Sequence, residues 1–489
     1  MPESYRPYRV EVRGQLAARS PFHIGTGQRL SLATDAPILR DESGRPYVPG
    51  STLRGVVRAH LEREAPLLGC TQANVERLFG KAPAKGSEGE ASQFGRIVFE
   101  DACLAEAASS ATEIRDHVRI AAKTGAAADG AKFDSEVALG SPVFSFALFY
   151  EGDSPEDPEM RLVREAIRAL AKGEIRVGAK SGWGYGAVQL TGTRWAAFHR
   201  ATPEGLSAWL KCRAGLAQPE WTSEPAGDAT PAVNTGNPPQ PHLLPLSELI
   251  VDLRLRFRGP VLVKAAIPPV KIAEAEDASN PANYGKRGLT VADSIFISRA
   301  GDQKFYLPGS SLRGVLRSQG ARICATLGKK DLVERLFGEI KQGKGGRKGR
   351  IEVGDGEIEG DAAPIYLDHV AIDRITNAAA DAKKFATCGL ISPAFRVSLR
   401  LRVDPEEWDL VALFGLLLRD LLDGRLWIGS GTTRGFGWLA SAEIVKARWS
   451  DAGMLHTECS RRVTELKKPT FQDLNHMWEK AETVWNPAI

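Results

Sequence analysis

The chain has little cysteine: six residues in 489, Cys70, Cys103, Cys212, Cys324, Cys388 and Cys459. No two form a Cys-x-x-Cys pair, which speaks against a structural zinc site and against a disulfide framework. Long apolar runs are also missing. The longest, "LVALFGLLL" at 410–418, is closed by Arg419 and Asp420. It is too short to span a bilayer and predicts a buried helix. The opening "MPESYRPYRVEV" has no apolar stretch of the signal-peptide kind. The expectation is therefore a cytoplasmic protein with no membrane partner. No glycine run leads into Gly-Lys-Ser/Thr, so a Walker-type phosphate loop is not expected. Neither sign of charge dominates. The net formal charge is only +4, which permits a nucleic-acid partner without demanding one.

What is present is repetition. "YVPGSTLRGVVR" (47–58) returns as "YLPGSSLRGVLR" (306–317). "VERLFG" occurs at 75–80 and 333–338, and "GRIVFEDA" (95–102) faces "GRIEVGDG" (349–356). "DHVRIAAKTGAAADGAKF" (116–133) faces "DHVAIDRITNAAADAKKF" (368–385). "GEIRVGAKSGWGYGAV" (173–188) faces "GRLWIGSGTTRGFGWL" (424–439). The blocks keep one order, which is the mark of a tandem duplication. The expected organisation is a first module over 1–213, a linker over 214–248, a second module over 249–446 and a tail over 447–489. The linker is rich in Pro, Gly, Ala, Ser and Thr, a composition that buries too little surface to fold.

Within each copy the periodicity mixes strands and helices. Residues 8–18 and 249–259 alternate apolar and polar, as half-buried strands do. Residues 51–64 put Leu53, Val56, Val57, His60 and Leu61 on one helical stripe. Pro49 marks the start of that helix, and Ser51 or Thr52 is expected to cap it. Residues 160–173 predict a second helix ending at glycine, and 186–195 and 437–449 predict closing strands. The mixture predicts an α+β fold. In the tail, 466–485 predicts one amphipathic helix.

Four features are candidates for chemistry. The Gly-Ser-Thr/Ser helix starts offer free backbone amides, hydroxyls (Ser51, Thr52, Ser310, Ser311) and positive potential. Arg54 with Arg58, and Arg313 with Arg317, stand four residues apart on one face. That set suits a phosphodiester backbone, and equally a capped helix with solvated arginines. The glycine loops align Gly178, Gly184 and Gly186 with Gly429, Gly435 and Gly437. They precede strands, so they are tight turns or close-approach loops rather than a dinucleotide fingerprint. The run "KQGKGGRKGR" (341–350) reads as a solvated loop or a phosphate-tracking one. The "DHV" pairs, Asp116–His117 and Asp368–His369, fit structural hydrogen bonding better than acid–base work. The copies also differ: Trp183 stands where the second copy has Arg434, and Ala121 and Ala122 replace Asp373 and Arg374.

The helix starts and glycine loops together resemble the RAMP superfamily. Within it the chain is most similar to the repeated backbone subunit of type III CRISPR effector complexes, over roughly 8–195 and 249–446. The resemblance implies two tandem modified RRM-like (ferredoxin-like) modules that bind crRNA. It implies target single-stranded RNA and other CRISPR effector subunits as partners, and metal-dependent endoribonuclease activity. The "AAAD…KF" runs would form the base of a thumb hairpin. The catalytic aspartates would be Asp35 and Asp293, with Mg²⁺ or Mn²⁺ as cofactor and no zinc. Arg54, Arg58, Arg313, Arg317, Arg434, the four hydroxyl residues and the six loop glycines would contact RNA. His23, in "FHIGTG", reads as a phosphate contact or as a satisfied turn histidine. An RNA scaffold without catalysis and a pre-crRNA processing nuclease are the alternatives.

Overall fold

The computed structural model describes residues 6–27, 34–81, 93–105, 110–120, 127–223, 247–265, 294–299, 304–341, 345–404, 406–451, 454–455, 458–459 and 462–467. Seven α-helices are described: α1 (Gly50–Glu64), α2 (Gln72–Phe79), α3 (Pro158–Ala171), α4 (Pro203–Arg213), α5 (Gly309–Thr326), α6 (Asp331–Phe337) and α7 (Trp408–Leu422). In the first half of the chain, four antiparallel strands lie side by side. Their order is Ile97–Phe99, Val143–Gly152, Tyr8–Ala18, Val188–His199. In chain order these are strands two, three, one and four, with helices after the first and the third. This is the ferredoxin-like βαββαβ connection. The second half repeats it with Ile351–Val353, Ala394–Val403, Ser247–Phe257 and Leu439–Asp451.

Alternation decides which face of each sheet is covered. Val10, Val12 and Leu16 point inward and meet Leu53, Val57 and Leu61 of α1 and Leu162, Ala166 and Leu170 of α3 in one core. In the second half Leu249, Val251 and Leu253 share a core with Leu312 and Leu316 of α5 and Leu413 and Leu417 of α7. Each buried valine or leucine among them contributes about 1.5–3 kcal/mol. The apolar run 410–418 lies inside α7, in that core.

Three local expectations change. Helix α1 begins at Gly50 with Pro49 at its cap, so Ser51 and Thr52 lie within the first turn and cap nothing. Ser310 and Ser311 stand likewise in α5, which starts after Pro308. Residues 341–350 are not one open loop: Glu339–Lys341 pairs with Gly345–Arg347 as a hairpin, and Arg350 binds Glu407 at 2.8 Å. In the tail, Leu466 and Lys467 end a strand, Arg462–Lys467, that extends the second sheet. The rest of the expected tail helix lies outside the described residues, as do 224–246 of the linker.

The two modules are packed against each other through ion pairs in which arginines of the first meet carboxylates of the second. Arg115 Nη1 of the first reaches Asp355 of the second at 2.9 Å, and the same nitrogen donates to Tyr185 Oη at 2.9 Å. Arg176 binds Glu352 at 3.1 Å, and Arg63 binds Asp404 at 3.2 Å. Arg402 returns a bond to the Glu174 carbonyl at 2.7 Å. The matching outer faces carry different residues. Trp427 stands where the first module has Arg176, and Val98 stands where the second has Glu352. Both are open to solvent, 43% and 42% exposed. Trp427 stacks on Trp438 with ring centroids 5.0 Å apart.

Candidate nucleic-acid interface

The repeated helix starts are held by the protein itself, twice and in the same way. The Gly50 amide donates to Asp101 Oδ1 at 2.7 Å, and the Gly309 amide to Asp355 Oδ1 at 2.8 Å. A carboxylate at a helix N-terminus satisfies an orphan donor and the positive end of the dipole. The first amide of each helix is therefore taken by the protein's own anion, contrary to the free-amide expectation. The arginines also have protein partners. Arg54 donates to the Phe79 carbonyl and Arg313 to the Phe337 carbonyl. Arg58 reaches the Gly80 carbonyl at 3.3 Å and Arg317 the Gly338 carbonyl at 2.9 Å. These carbonyls close α2 and α6, where unpaired acceptors and negative potential gather. Arg313 is further covered by Gly182 of the first module, whose Cα would place a Cβ 3.3 Å from its Nε. That burial holds its pKa down to about 10, with Arg317 adding to the effect.

The glycine loops follow the same plan. Gly178, Gly184 and Gly186 have φ of 89°, 80° and 75°, and Gly429, Gly435 and Gly437 have 100°, 84° and 77°. These are left-handed conformations that glycine alone adopts freely. The two loops differ in what they face. A Cβ on Gly184 would lie 2.5 Å from the Gly354 Cα of the second module, whereas nothing lies within 4 Å of one on Gly435.

Beside each loop rises a long hairpin. Thr112–Ile120 pairs with Ala127–Ala138, and Ala363–Ile372 with Ala379–Ile391. The second strand of each carries an "AAAD…KF" run. At the base, His117 Nε2 lies 2.9 Å from Ser135 Oγ, and His369 Nε2 lies 2.9 Å from Thr387 Oγ1. Each histidine ring packs on a phenylalanine, Phe133 at 5.0 Å and Phe385 at 4.9 Å. In the first module the Trp183 ring also packs on His117, at 4.5 Å. Burial, then the charges of Lys180 and Arg115, push the His117 pKa down to about 3. In the second module the Arg434 guanidinium lies over Phe385, 5.0 Å from the ring centre.

Asp35 is exposed on the loop beside the first hairpin. Its Oδ2 accepts from the Asp134 amide at 3.0 Å, while its own amide donates to Asp134 Oδ1 at 2.7 Å. Thr34 Oγ1 also donates to Asp134, at 2.5 Å. That hydroxyl, and then the Asp35 amide, hold the Asp134 carboxyl below the usual range. His23 is buried, its Nδ1 2.7 Å from the Glu136 carbonyl. Burial lowers its pKa, so the structure places it in the turn and not on the surface. Leu262 fills its place in the second copy: each accepts from the loop, through the Ala179 and Ser430 amides respectively. Asp293 lies outside the described residues.

Sequence reasoning missed Asp134, Lys180 and the Asp101/Asp355 pair. Block alignment held a signal for the first two, since Asp134 faces Ala386 and Lys180 faces Gly431. Among the described residues, one cluster has three metal-type ligands close together: His60, Glu165 and Glu174. It already holds a cation, because Arg168 reaches Glu165 at 2.6 Å and Glu174 at 3.0 Å.

No curated protein matches the chain. The sequence model of the RAMP superfamily matches residues 15–189 and 254–440, one region in each module. With its two ferredoxin-like sheets, two glycine loops and two hairpins, the chain belongs to the RAMP superfamily, as a CRISPR-associated RNA-binding subunit made of two modules.

Proposed function

We propose that the chain is a crRNA-binding backbone subunit of a type III CRISPR effector complex. In this reading it also cuts guide-complementary target RNA, at one divalent-metal site in each module. The observation that carries this reading is the exposed Asp35 carboxylate, fixed beside the hairpin base of a RAMP module. Asp35 and Asp134 brace each other through reciprocal amide bonds, which tie the Asp35 loop to the hairpin strand. The local donors, Asp35, Asp134 and Thr34, are all oxygens. This is the set Mg²⁺ or Mn²⁺ takes, commonly through one or two carboxylates together with a substrate phosphate. A cation held there supplies charge relief at the scissile phosphate. The RNA brings its own nucleophile, the 2′-hydroxyl, and the protein's task is to hold it in line. In the second module Ala386 stands at the position of Asp134, so that module lacks the second carboxylate. The packing of the modules supports their acting as two stacked units along one guide.

The test is target cleavage by the assembled complex with a matched guide. Asp35→Ala should delete one product band and Asp293→Ala a different one, with target binding kept because base pairing supplies it. Chelating the divalent metal should stop both cuts. If the double variant still cuts at both positions, the nuclease assignment fails. A wild type that binds target and cuts nothing would leave a scaffold.

A further inference from the structure

A lysine sits where the duplicated module has glycine. Lys180 has φ 60°, and the matching Gly431 has φ 80°. Three other described non-glycine residues share the left-handed region: Ser141, Ser392 and Asn377. Ser141 and Ser392 occupy matching turns before proline, and asparagine tolerates this conformation. Lys180 is the remaining case, and glycine in the sister loop shows what the backbone there prefers.

Its ammonium is as unusual as its backbone. Nζ is shielded from solvent and has no hydrogen-bond partner. It lies 5.2 Å from the Trp183 ring centre and 5.7 Å from that of Phe133. Burial holds its pKa down to about 8, while Asp134 pulls the other way. A buried, unpaired cation and a strained backbone both oppose folding. Glycine would remove both costs.

The sister module explains what is gained. There Arg434 places its guanidinium over Phe385, the counterpart of Phe133. The first module has Trp183 at the position of Arg434 and so loses that cation. Lys180, three residues earlier, restores a cation over the same ring. Each module thus keeps one positive charge on its hairpin-base phenylalanine, drawn from a different loop position. Lysine and glycine at 180/431 go with tryptophan and arginine at 183/434.

We infer that Lys180 is the cation of an RNA phosphate site in the first module, between the Phe133–Trp183 rings and the Asp35–Asp134 pair, where it does the work of Arg434 in the second. The inference rests on the RNA-binding reading and names the residue that performs it there. The four-carbon stem lets the ammonium turn from the rings to a phosphate, freeing an aromatic face for the adjoining base.

The experiment is fluorescence anisotropy of a labelled oligouridylate with the full chain over a series of KCl concentrations, alongside thermal melting. Lys180→Gly should raise the melting temperature while weakening RNA binding about 5–30-fold. It should also reduce the slope of log affinity against log salt by about 0.7, one single-strand phosphate contact. Lys180→Gln should lose the same slope without the gain in stability. Arg434→Ala should lower the slope by a similar step in the other module. If both Lys180 variants keep the wild-type slope, the inference is overturned while the RNA-binding reading stands. If the wild type itself does not bind the RNA, the reading and the inference fall together.

Discussion

The guanidinium of Arg115 in the first module lies 2.9 Å from the carboxylate of Asp355 in the second, with 4% and 6% of the two side chains exposed. The same carboxylate caps α5 through the Gly309 amide. One aspartate therefore ends a helix and joins two modules. Arg115→Ala leaves that carboxylate buried without its cation, a loss of about 3–5 kcal/mol for a pair of this kind. The Gly309 amide offsets part of it, so the lower end is expected. Denaturant unfolding of the two forms measures it. A change under about 1 kcal/mol would mean that the junction does not depend on this pair.

The glycine loops offer a controlled comparison. Gly435→Ala meets open space and should cost only the left-handed backbone penalty, about 1–2 kcal/mol. Gly184→Ala carries the same penalty and also drives a methyl group against Gly354. It should cost clearly more and expose the junction to limited proteolysis. Equal losses would show that the two modules do not meet closely there.

Acid should weaken the first module through His117. Its folded-state pKa of about 3 lies below the ordinary 6.5, so the unfolded chain binds the proton more readily. The stability tied to its neutral form is complete above pH 6.5 and falls as the pH drops toward 3, by at most about 1.4 kcal/mol per pH unit. Burial sets the direction, and Lys180 and Arg115, which face the ring, add to it against the opposing charge of Asp134. His117→Gln should flatten the stability profile between pH 6.5 and 5. Glu165 and Glu248, each held at about 2, lose their contribution only at lower pH, from below about 4.5. An unaltered profile in that upper window would remove His117 as its source.

Repetition made the fold legible. Two copies of each block fixed the modules, the α+β pairing of elements and the glycine turns, because those features depend on neighbours in sequence. What stayed hidden depends on residues far apart along the chain. Asp101 meets Gly50 across 51 positions, so the helix start reads locally as a free anion site and the true cap is invisible. Arg54 and Arg313 read as solvent-facing because helical spacing gives a face but not what lies opposite it, here the end of the next helix. The sequence leaves His23 two uses, because its partner, the Glu136 carbonyl on a hairpin strand, lies 113 positions away. Asp35 follows from the family resemblance, whereas Asp134 differs from Ala386 in the aligned blocks but is joined to Asp35 only in space.

The junction between the modules uses two unlike faces, and this bears on inheritance. In a stack of separate identical subunits, a substitution in either face recurs at every contact and must suit all of them at once. Joining two copies in one polypeptide ends that constraint. Arg176 and Glu352 meet once per chain, and their codons travel together. The outer faces, with Trp427 and Val98 at the matching positions, have diverged separately from this inner pair.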